Sequence, residues 1–491
     1  MKTAAFLIAA ILLSGVVCAQ SIVPALASSS SVILDENGSV KVSPGVFYSL
    51  SINLSIPSLT SYQKVQSADE PVEGADGNYY LPIVAKGPEN YFFYSHQMAV
   101  QTSARSTSSL PASFSVPAGY GKYLSPTNRT QSGDAEIQKA AQEAVAGAGT
   151  PFEKVARLAM FVNSHMQYDS SLVGQQKDAR WVLDNGRGVC VEYSTLFVAL
   201  ARASGIPARY VTGYSYSDRF QGWMGHAWAE AYVGEWVPVD PTWFEAGSLD
   251  ALHIEEGKYS ELSTDATLSA TVSSQYSKVK WDSNGQGGAA AGNIQTLQLL
   301  SAQPDGDYSL SLADPVLPLG GTTTATMSIA GTDYRVLSVD LLPCTGESRV
   351  GVENSSQYVV LEPGRNVTIT WKITAPASLD PRYTYNCPLA LNSQYLSLKT
   401  ITVQIDPRAA KQGAPVQKPG AATGGNSDAG GSNANVSQTQ GSGTASPSVP
   451  PAQPSQAGGA QPSQQASSQP APCFFASLIS IAALLIVFAK N

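Results

Sequence analysis

The sequence predicts an α+β domain in the middle of the chain, with β-rich domains on either side of it. From Asp134 to Gly205 apolar residues recur at helical spacing, and from Ala208 to Asp240 they alternate as they do in strands. Helices followed by an antiparallel sheet are typical of the α+β class. Short alternating runs before and after this segment indicate β structure. Because 491 residues are too many for one hydrophobic core, we expect several domains.

The N-terminal end of the chain has the features of a targeting signal. Lys2, the apolar run Ala4–Leu13 and the small residues before Gln20 predict a signal peptide over residues 1–19. The alternative at this end is that Cys18 becomes a lipid-modified N-terminal cysteine. With either alternative, we expect the bulk of the chain to lie outside the cytoplasm.

The C-terminal end predicts a membrane anchor. Residues 473–489 are apolar and uncharged, which favours a transmembrane helix. Lys490 follows, and the positive-inside bias would keep it in the cytoplasm. The alternative is a sorting tail that is cut off and replaced by a lipid, because such tails have the same composition. We expect a cell-surface protein whose C-terminus lies inside.

The composition argues against nucleic acid as a partner. Only 13% of the residues are charged, the net charge is −8, and Lys or Arg clusters are absent from the sequence. Sequons that would allow N-glycosylation outside the cell occur at Asn37, Asn53, Asn128, Asn354, Asn366 and Asn435. Such triplets agree with secretion but arise by chance in Ser-rich chains.

Residues 20–110 predict an N-terminal β-rich domain. In Phe47–Ile56 apolar and polar residues alternate, which is the pattern of a half-buried antiparallel strand. Aromatic and β-branched runs at Tyr79–Val84 and Tyr91–Gln101 predict further strands.

Residues 111–283 predict the α+β domain. One helix precedes Gly147, a second begins with Thr150 as its N-cap, and a third begins at or next to Cys190. The strands predicted to follow are Ala208–Tyr214, His226–Val233 and Trp236–Asp240.

The rest of the chain predicts a β-sandwich and a stalk. Short alternating runs over 293–406 have the spacing of an immunoglobulin-like sandwich. Cys344 and Cys387 lie in this region, and we expect them to form a disulfide outside the cell, the alternative being two buried thiols. Residues 407–472 are rich in Gly, Ser, Gln and Pro and predict a disordered stalk, because they offer little apolar surface to bury.

Cys190 is the first residue that suggests chemistry. It follows a glycine-rich turn and opens a predicted helix, where unpaired amides and the positive end of the helix dipole stabilise a thiolate. The same amides could bind the oxyanion that forms when a thiolate attacks a carbonyl. Taken alone, Cys190 could equally be a buried structural cysteine.

The predicted hairpin decides whether His226 can meet Asp240. A two-residue turn that begins at Gly234 would put the two side chains on opposite faces of the sheet. A three-residue loop pairs Tyr232 with Trp236 and makes His226 the diagonal neighbour of Asp240 on one face. Such loops need a left-handed residue, and Gly234 is available, so we expect an odd-numbered loop or a compensating bulge. Taken singly, His226 could be a core histidine and Asp240 a turn-forming residue.

Three segments of the sequence resemble the transglutaminase-like core domain: Gly186–Tyr193, Gly225–Glu230 and Trp236–Thr242. The resemblance covers about Asp134–Gly257 and implies a papain-like α+β fold.

The same resemblance implies a role for each of three residues. Cys190 corresponds to the nucleophile, His226 to its acid–base partner, and Asp240 to the carboxylate that orients the imidazole. The motif leaves the oxyanion donor beyond the Cys190 amide open, and Trp181 is a weak candidate for it. Arg209 matches a framework position.

The implied reaction is acyl transfer from an amide through a Cys190 thioester, without a metal or another cofactor. Water would hydrolyse the thioester, whereas a lysine amine would give a cross-link. We expect a protein or peptide substrate and favour a peptidase, because extracellular microbial members of the family are often regarded as peptidases. The alternative from a different class is a catalytically silent surface adhesion or scaffold protein that uses the domain for binding.

Overall fold

The structure, a computed structural model, describes residues 26–42, 47–89, 91–217, 222–262, 268–273, 279–282, 293–302 and 307–409. The predicted signal peptide, the predicted C-terminal helix and all but the first residues of the predicted stalk lie outside this part of the chain. Within it, none of the helices has the length and apolar character needed to cross a bilayer.

The N-terminal region is β structure, as predicted. Its strands are β1 (Ala27–Val42), β2 (Phe47–Ile56), β3 (Gln63–Ser67), β4 (Val72–Glu73), β5 (Tyr79–Glu89), β6 (Tyr91–Ser103) and β7 (Arg105–Ser106). β1 pairs with β6 over nearly its whole length, and β2 pairs with β5, both antiparallel. A shared apolar core lies inside, formed by side chains such as Val32, Leu54, Leu81 and Met98.

The α+β domain follows and confirms the predicted order of helices and strands. Its elements are α1 (Ala135–Ala144), α2 (Pro151–His165), β8 (Gln167–Tyr168), α3 (Ala179–Asn185), β9 (Arg187–Gly188), α4 (Cys190–Ala203), β10 (Ala208–Ser217), β11 (Gly222–Tyr232), β12 (Trp236–Asp240), β13 (Glu245–Ala246), β14 (Ser248–Leu249) and β15 (His253–Tyr259). Thr150 caps α2 as predicted, because its hydroxyl accepts the Glu153 N–H at 3.0 Å.

Helix α4 lies at the centre of this domain. The sheet runs antiparallel in the order β13-β12-β11-β10-β15, and α4 packs against β10 and β11 on one side and the other three helices on the other. Every α4 residue from Glu192 to Arg202 is buried. The Ser194 hydroxyl donates to the Ala227 carbonyl at 3.0 Å, which fixes α4 against the strand that carries His226.

The structure differs from the predicted domain boundaries 20–110, 111–283 and 293–406. After the α+β domain come β16 (Leu268–Ser273), β17 (Val279–Asp282) and β18 (Asn293–Ser301). β16 pairs with β2, and β17 and β18 pair with β1, so all three complete the N-terminal sheets. Alternation of apolar residues predicts a strand but not its partner, which explains why these strands were assigned to the domains beside them in sequence.

The C-terminal region consists of two sheets around one apolar core. Its strands are β19 (Tyr308–Leu312), β20 (Val316–Leu317), β21 (Thr322–Ala330), β22 (Arg335–Pro343), β23 (Gly351–Val352), β24 (Ser356–Leu361), β25 (Asn366–Thr374), β26 (Tyr385–Asn392) and β27 (Lys399–Ile405). The sheet orders are β19-β21-β25-β23 and β20-β27-β26-β22-β24. Cys344 and Cys387 form the predicted disulfide, with their Cα atoms 5.2 Å apart. An immunoglobulin-like relationship stays a prediction.

Candidate active site

Cys190 is the first residue of α4, as the sequence predicts. Its thiol is free and the residue is partly exposed. The first amides of a helix have no partner within it, and the positive end of the helix dipole favours an anion there. The sulfur therefore lies where a thiolate is stabilised.

Glu192 holds the turn that precedes Cys190. Its buried carboxylate accepts the Val189 N–H at 3.0 Å and the Lys177 N–H at 2.9 Å. Gly188 makes room for this side chain, because a Cβ at that position would lie 2.2 Å from the Glu192 Cβ. This role was not predicted, although a Glu three residues after a helix N-cap is a recognisable sequence signal.

The hairpin between β11 and β12 has the predicted three-residue loop. Tyr232 pairs with Trp236, and the pairing continues to Ala229 opposite Val239. Gly234 occupies the loop with a φ of 109°, a value that L side chains rarely adopt. The register therefore brings His226 and Asp240 to one face, and the two-residue alternative is wrong.

His226 is buried and bonded to Asp240. Its Nε2 lies 2.6 Å from the Asp240 Oδ2. The imidazole is stacked between two indole rings, with centroids 5.9 Å from Trp228 and 5.6 Å from Trp243. Because Nε2 points to Asp240, Nδ1 is the ring nitrogen left for the thiol.

Asp240 is fully buried and its second oxygen is bonded as well. Oδ1 accepts the N–H groups of Thr242 at 2.8 Å and Trp243 at 3.2 Å, so the residue also forms the turn after β12. Burial opposes ionisation, but the bonded imidazoles of His226 and His253 hold the pKa of Asp240 well below its usual range. Asp240 is thus an anion at neutral pH.

His226 carries a proton at neutral pH. Burial disfavours the charged ring, but the negative charges of Asp240 and Cys190, together with hydrogen bonds to both, raise the pKa of His226 to about 9. An imidazolium at this position can stabilise a thiolate on Cys190.

His253, which was not singled out from the sequence, also binds Asp240. Its Nε2 lies 3.1 Å from the Asp240 Oδ2 and its Nδ1 lies 3.0 Å from the Asp250 Oδ1. The chain has four histidines, so half of them meet at one carboxylate. A His three residues after an Asp was the available signal, but nothing local indicated that β15 returns to the Asp240 end of the sheet.

Trp181 lies on α3 with its ring between two cationic side chains. The Lys177 Nζ is 5.2 Å from the ring centroid and the Arg187 guanidinium 5.8 Å, and the indole packs against the helical core. An oxyanion donor has to aim an N–H at the reacting carbonyl. That role for Trp181 stays a prediction.

Arg209 belongs to a buried ion cluster on the same hairpin. Its Nε donates to the Glu230 Oε2 at 2.8 Å, while Arg105 Nη1 donates to the Glu230 Oε1 at 2.5 Å. The Arg209 guanidinium also lies 4.0 Å from the Trp236 ring centroid. These contacts fit the framework position that the resemblance implied for Arg209.

Two sets of side chains have the spacing of metal ligands: His226, Asp240 and His253, and Glu245, Asp250 and His253. In both sets the imidazole nitrogens already point at carboxylate oxygens within hydrogen-bond distance. A metal needs deprotonated nitrogens, whereas these donate. The arrangement is that of an ion-pair network.

The segment that carries the site is similar to known sequences. The model of the transglutaminase-like superfamily matches residues 138–241. An uncharacterized protein of Mycobacterium leprae is 32% identical over 99 residues, which are 19% of this chain and 35% of that protein. The chain therefore spans about a third of the length of this curated relative.

Solved structures were compared with the fold. A candidate cysteine protease from Cytophaga hutchinsonii is 18% identical, with a TM-score of 0.38 over 55% of this chain and 91% of that one. The periplasmic domain of TgpA from Pseudomonas aeruginosa is 18% identical, with a TM-score of 0.26 over 44% and 88%. Red sea bream transglutaminase is 10% identical, with a TM-score of 0.21 over 78% and 80%. Residues 138–241, which include Cys190 and His226, thus match the transglutaminase-like superfamily.

Proposed function

We propose that this transglutaminase-like enzyme breaks amide bonds of protein or peptide substrates through a thioester on Cys190. One observation supports this most strongly. The His226 ring is bonded to Asp240 at 2.6 Å through Nε2, which leaves Nδ1 available for the Cys190 thiol. A nucleophile, a base and a group that orients the base are the minimum set for covalent acyl transfer.

The first half of the reaction forms the thioester. In the resting pair Nδ1 of His226 already holds the proton of the Cys190 thiol, and the sulfur attacks the carbonyl carbon of the amide. The carbonyl oxygen becomes an oxyanion, which the backbone N–H of Cys190 can bind at the start of α4. The imidazolium then gives its proton to the amide nitrogen, the C–N bond breaks, and ammonia or an amine leaves.

The second half releases the acyl group. Water gives a proton to His226 Nδ1 as it attacks the thioester carbonyl, the C–S bond breaks, and the thiolate recovers its proton or remains paired with the imidazolium. A lysine amine in place of water would give a cross-link. Cys190 is partly exposed, so water can reach the thioester, which favours hydrolysis and hence a peptidase.

We further propose that the enzyme acts outside the cell, anchored by its C-terminal segment 473–489. The Cys344–Cys387 disulfide supports an oxidising compartment, because such bonds persist in secreted and periplasmic proteins.

The test is selective alkylation. The purified chain is treated with iodoacetamide at pH 6, and modification of Cys190 is followed by mass spectrometry. We expect fast modification in the wild type and a rate at least about tenfold lower in His226→Ala. His96→Ala is the matched control, because His96 lies in the N-terminal β region beside Asp69, and it should react like the wild type. An inert thiol in the wild type would overturn the proposal and favour the scaffold alternative.

The reaction products distinguish hydrolysis of the thioester from acyl transfer to an amine. A quenched peptide is incubated with and without a primary amine, and the products are weighed. Free acid in both samples supports the peptidase. Amine adducts as the main product would instead make the protein a cross-linker.

A further inference from the structure

The Asp240 carboxylate serves two imidazoles at one oxygen. Oδ2 lies 2.6 Å from His226 Nε2 and 3.1 Å from His253 Nε2, and the two ring centroids are 5.9 Å apart. All three side chains are buried. Oδ1 accepts two backbone N–H groups, so the carboxylate has four hydrogen bonds and a fixed plane.

The protonation of His253 follows from its partners. A neutral imidazole has one N–H, yet both nitrogens of His253 face carboxylate oxygens. A lone pair facing either oxygen would be repelled, so both nitrogens must donate. The same Asp250 oxygen also accepts the Leu252 N–H at 2.9 Å. His253 is therefore an imidazolium.

The other charged groups around His253 are consistent with this state. Glu245 accepts the Asp250 N–H at 3.1 Å, and burial together with the charge of Asp250 raises the pKa of Glu245 to about 8. Glu245 is thus mostly neutral at pH 7. Tyr395 lies in the C-terminal region, and burial together with the charges of Glu245 and Asp250 raises its pKa well above the usual value. This phenol therefore stays neutral. Arg335, in the same region, is paired with Asp333 at 2.6 Å.

We propose that His253 is a positioning residue: as a second imidazolium on Asp240 it fixes that carboxylate and shares its charge, so that His226 can return its proton to the leaving amine. The inference rests on the proposed function. An unshared Asp240 would hold the His226 proton more tightly and make the ring a weaker acid. Neutralising His253 therefore harms the step that needs proton donation more than the attack by sulfur.

The first test reads protonation and does not depend on activity. Histidine labelled with ¹⁵N is incorporated into the full chain, and ring signals are assigned with single variants. In the wild type we expect two rings, those of His226 and His253, to be doubly protonated at pH 8. In His253→Gln the His253 signal is lost, and the pKa of His226 rises by about one unit. A neutral His253 in the wild type, or an unchanged or lowered His226 pKa in the variant, overturns the proposal.

The second test compares two leaving groups. His253→Gln should lower kcat on an amide about 10- to 100-fold, because the amine must be protonated as it leaves. It should retain acylation by a p-nitrophenyl ester, whose leaving group needs no proton. Equal losses on both substrates would make His253 merely structural. His165→Gln is the matched control, since His165 bonds the Leu183 carbonyl on the helical side, and both activities should persist.

Two further outcomes distinguish a failure of this inference from a failure of the proposed function. A wild type without amide activity but with the expected ¹⁵N signals would defeat the proposed function and leave the charge sharing standing. If His253→Gln does not fold, Asp250→Asn is used instead. It keeps an oxygen for His253 Nδ1 but removes a charge, so we expect the pKa of His253 to fall and that of His226 to rise. No change in either pKa would overturn the inference.

Discussion

Two buried carboxylates on one hairpin are each bonded by two basic side chains, yet they serve different purposes. Glu230 on β11 accepts from Arg105 and Arg209, while Asp240 at the end of β12 accepts from His226 and His253. Both carboxylates are almost fully buried.

The difference lies in whether the cations can lose a proton. Arginine keeps its charge at every accessible pH, so the Glu230 cluster is a fixed element of structure. Imidazole titrates near neutrality, so the Asp240 cluster can move protons. The chemistry of the hairpin therefore depends on the types of the partner residues more than on burial or spacing.

The largest expected effect comes from breaking the titratable cluster with Asp240→Asn. The amide would keep the turn at Thr242 but present N–H groups or a neutral oxygen to the imidazoles, which disturbs the tautomer of His226. We expect kcat on an amide substrate to fall about 10³- to 10⁴-fold, as judged from the equivalent change in other triads. Steady-state kinetics on the folded protein measures this. Retention of a tenth of the activity would contradict it.

A change in the Glu230 cluster, whose arginines stay charged, should instead lower the stability of the fold. Glu230→Gln leaves two buried guanidinium groups without a counter-charge, which should cost about 3–5 kcal/mol of unfolding free energy. Denaturant titration measures the loss. Asp184→Asn is the control, because the Arg180–Asp184 pair on α3 is exposed to solvent and should contribute little to stability. Equal effects of the two substitutions would contradict the difference between the clusters.

Part of this hairpin could be predicted from the sequence. The loop length and the left-handed Gly234 are local properties, so the register that joins His226 to Asp240 followed from the sequence. The return of β15 could not be predicted in this way. It pairs with β10 across a register shift after Thr212, and no local pattern encodes that shift.

The flanking domains show the same limit. The Phe47–Ile56 strand was predicted with its bounds, because alternation is a local signal. Its partner β16 lies more than two hundred residues away in sequence, so its membership of the N-terminal sheet became evident only from the structure. His253 and Asp250 were missed for this reason: their meaning depends on a long-range pairing.

Alkaline pH should separate the two clusters without mutation. Because the folded pKa of His226 is raised to about 9 against about 6.5 when unfolded, its contribution is complete below pH 6.5 and is lost as pH rises through 9. Between pH 6.5 and 9.5 we expect a loss of about 3 kcal/mol, measured by denaturant titration. The loss should become smaller in His226→Gln, where His253 with its raised pKa remains as a titrating imidazole of the cluster, and should be unchanged in Arg209→Lys. A dependence as steep in His226→Gln as in the wild type would assign it to another group.

A third pair of buried carboxyls, Glu36 and Glu256, gives the smallest expected effect. Glu36 on β1 is buried, and neither carboxyl oxygen has a hydrogen-bond partner among the described residues. Burial and the nearby Glu256 raise the pKa of Glu36, and burial raises that of Glu256 on β15 to about 7. These carboxyls lie where the N-terminal sheet meets the α+β domain.

The sign of the effect is opposite to that of an ion pair. A carboxyl with a raised folded pKa stabilises the fold relative to high pH while it is protonated, and that contribution is lost as pH rises from about 4.3 through 7. We expect the wild type to lose about 2 kcal/mol between pH 5 and 7 from Glu256. Glu256→Gln should flatten this dependence and stabilise the protein at pH 7.5, whereas Glu143→Gln on the exposed face of α1 should change nothing. If Glu256→Gln instead destabilises the protein at pH 7.5, the ionised Glu256 carboxylate stabilises the fold. That result would contradict the expected cost of ionising this buried carboxyl.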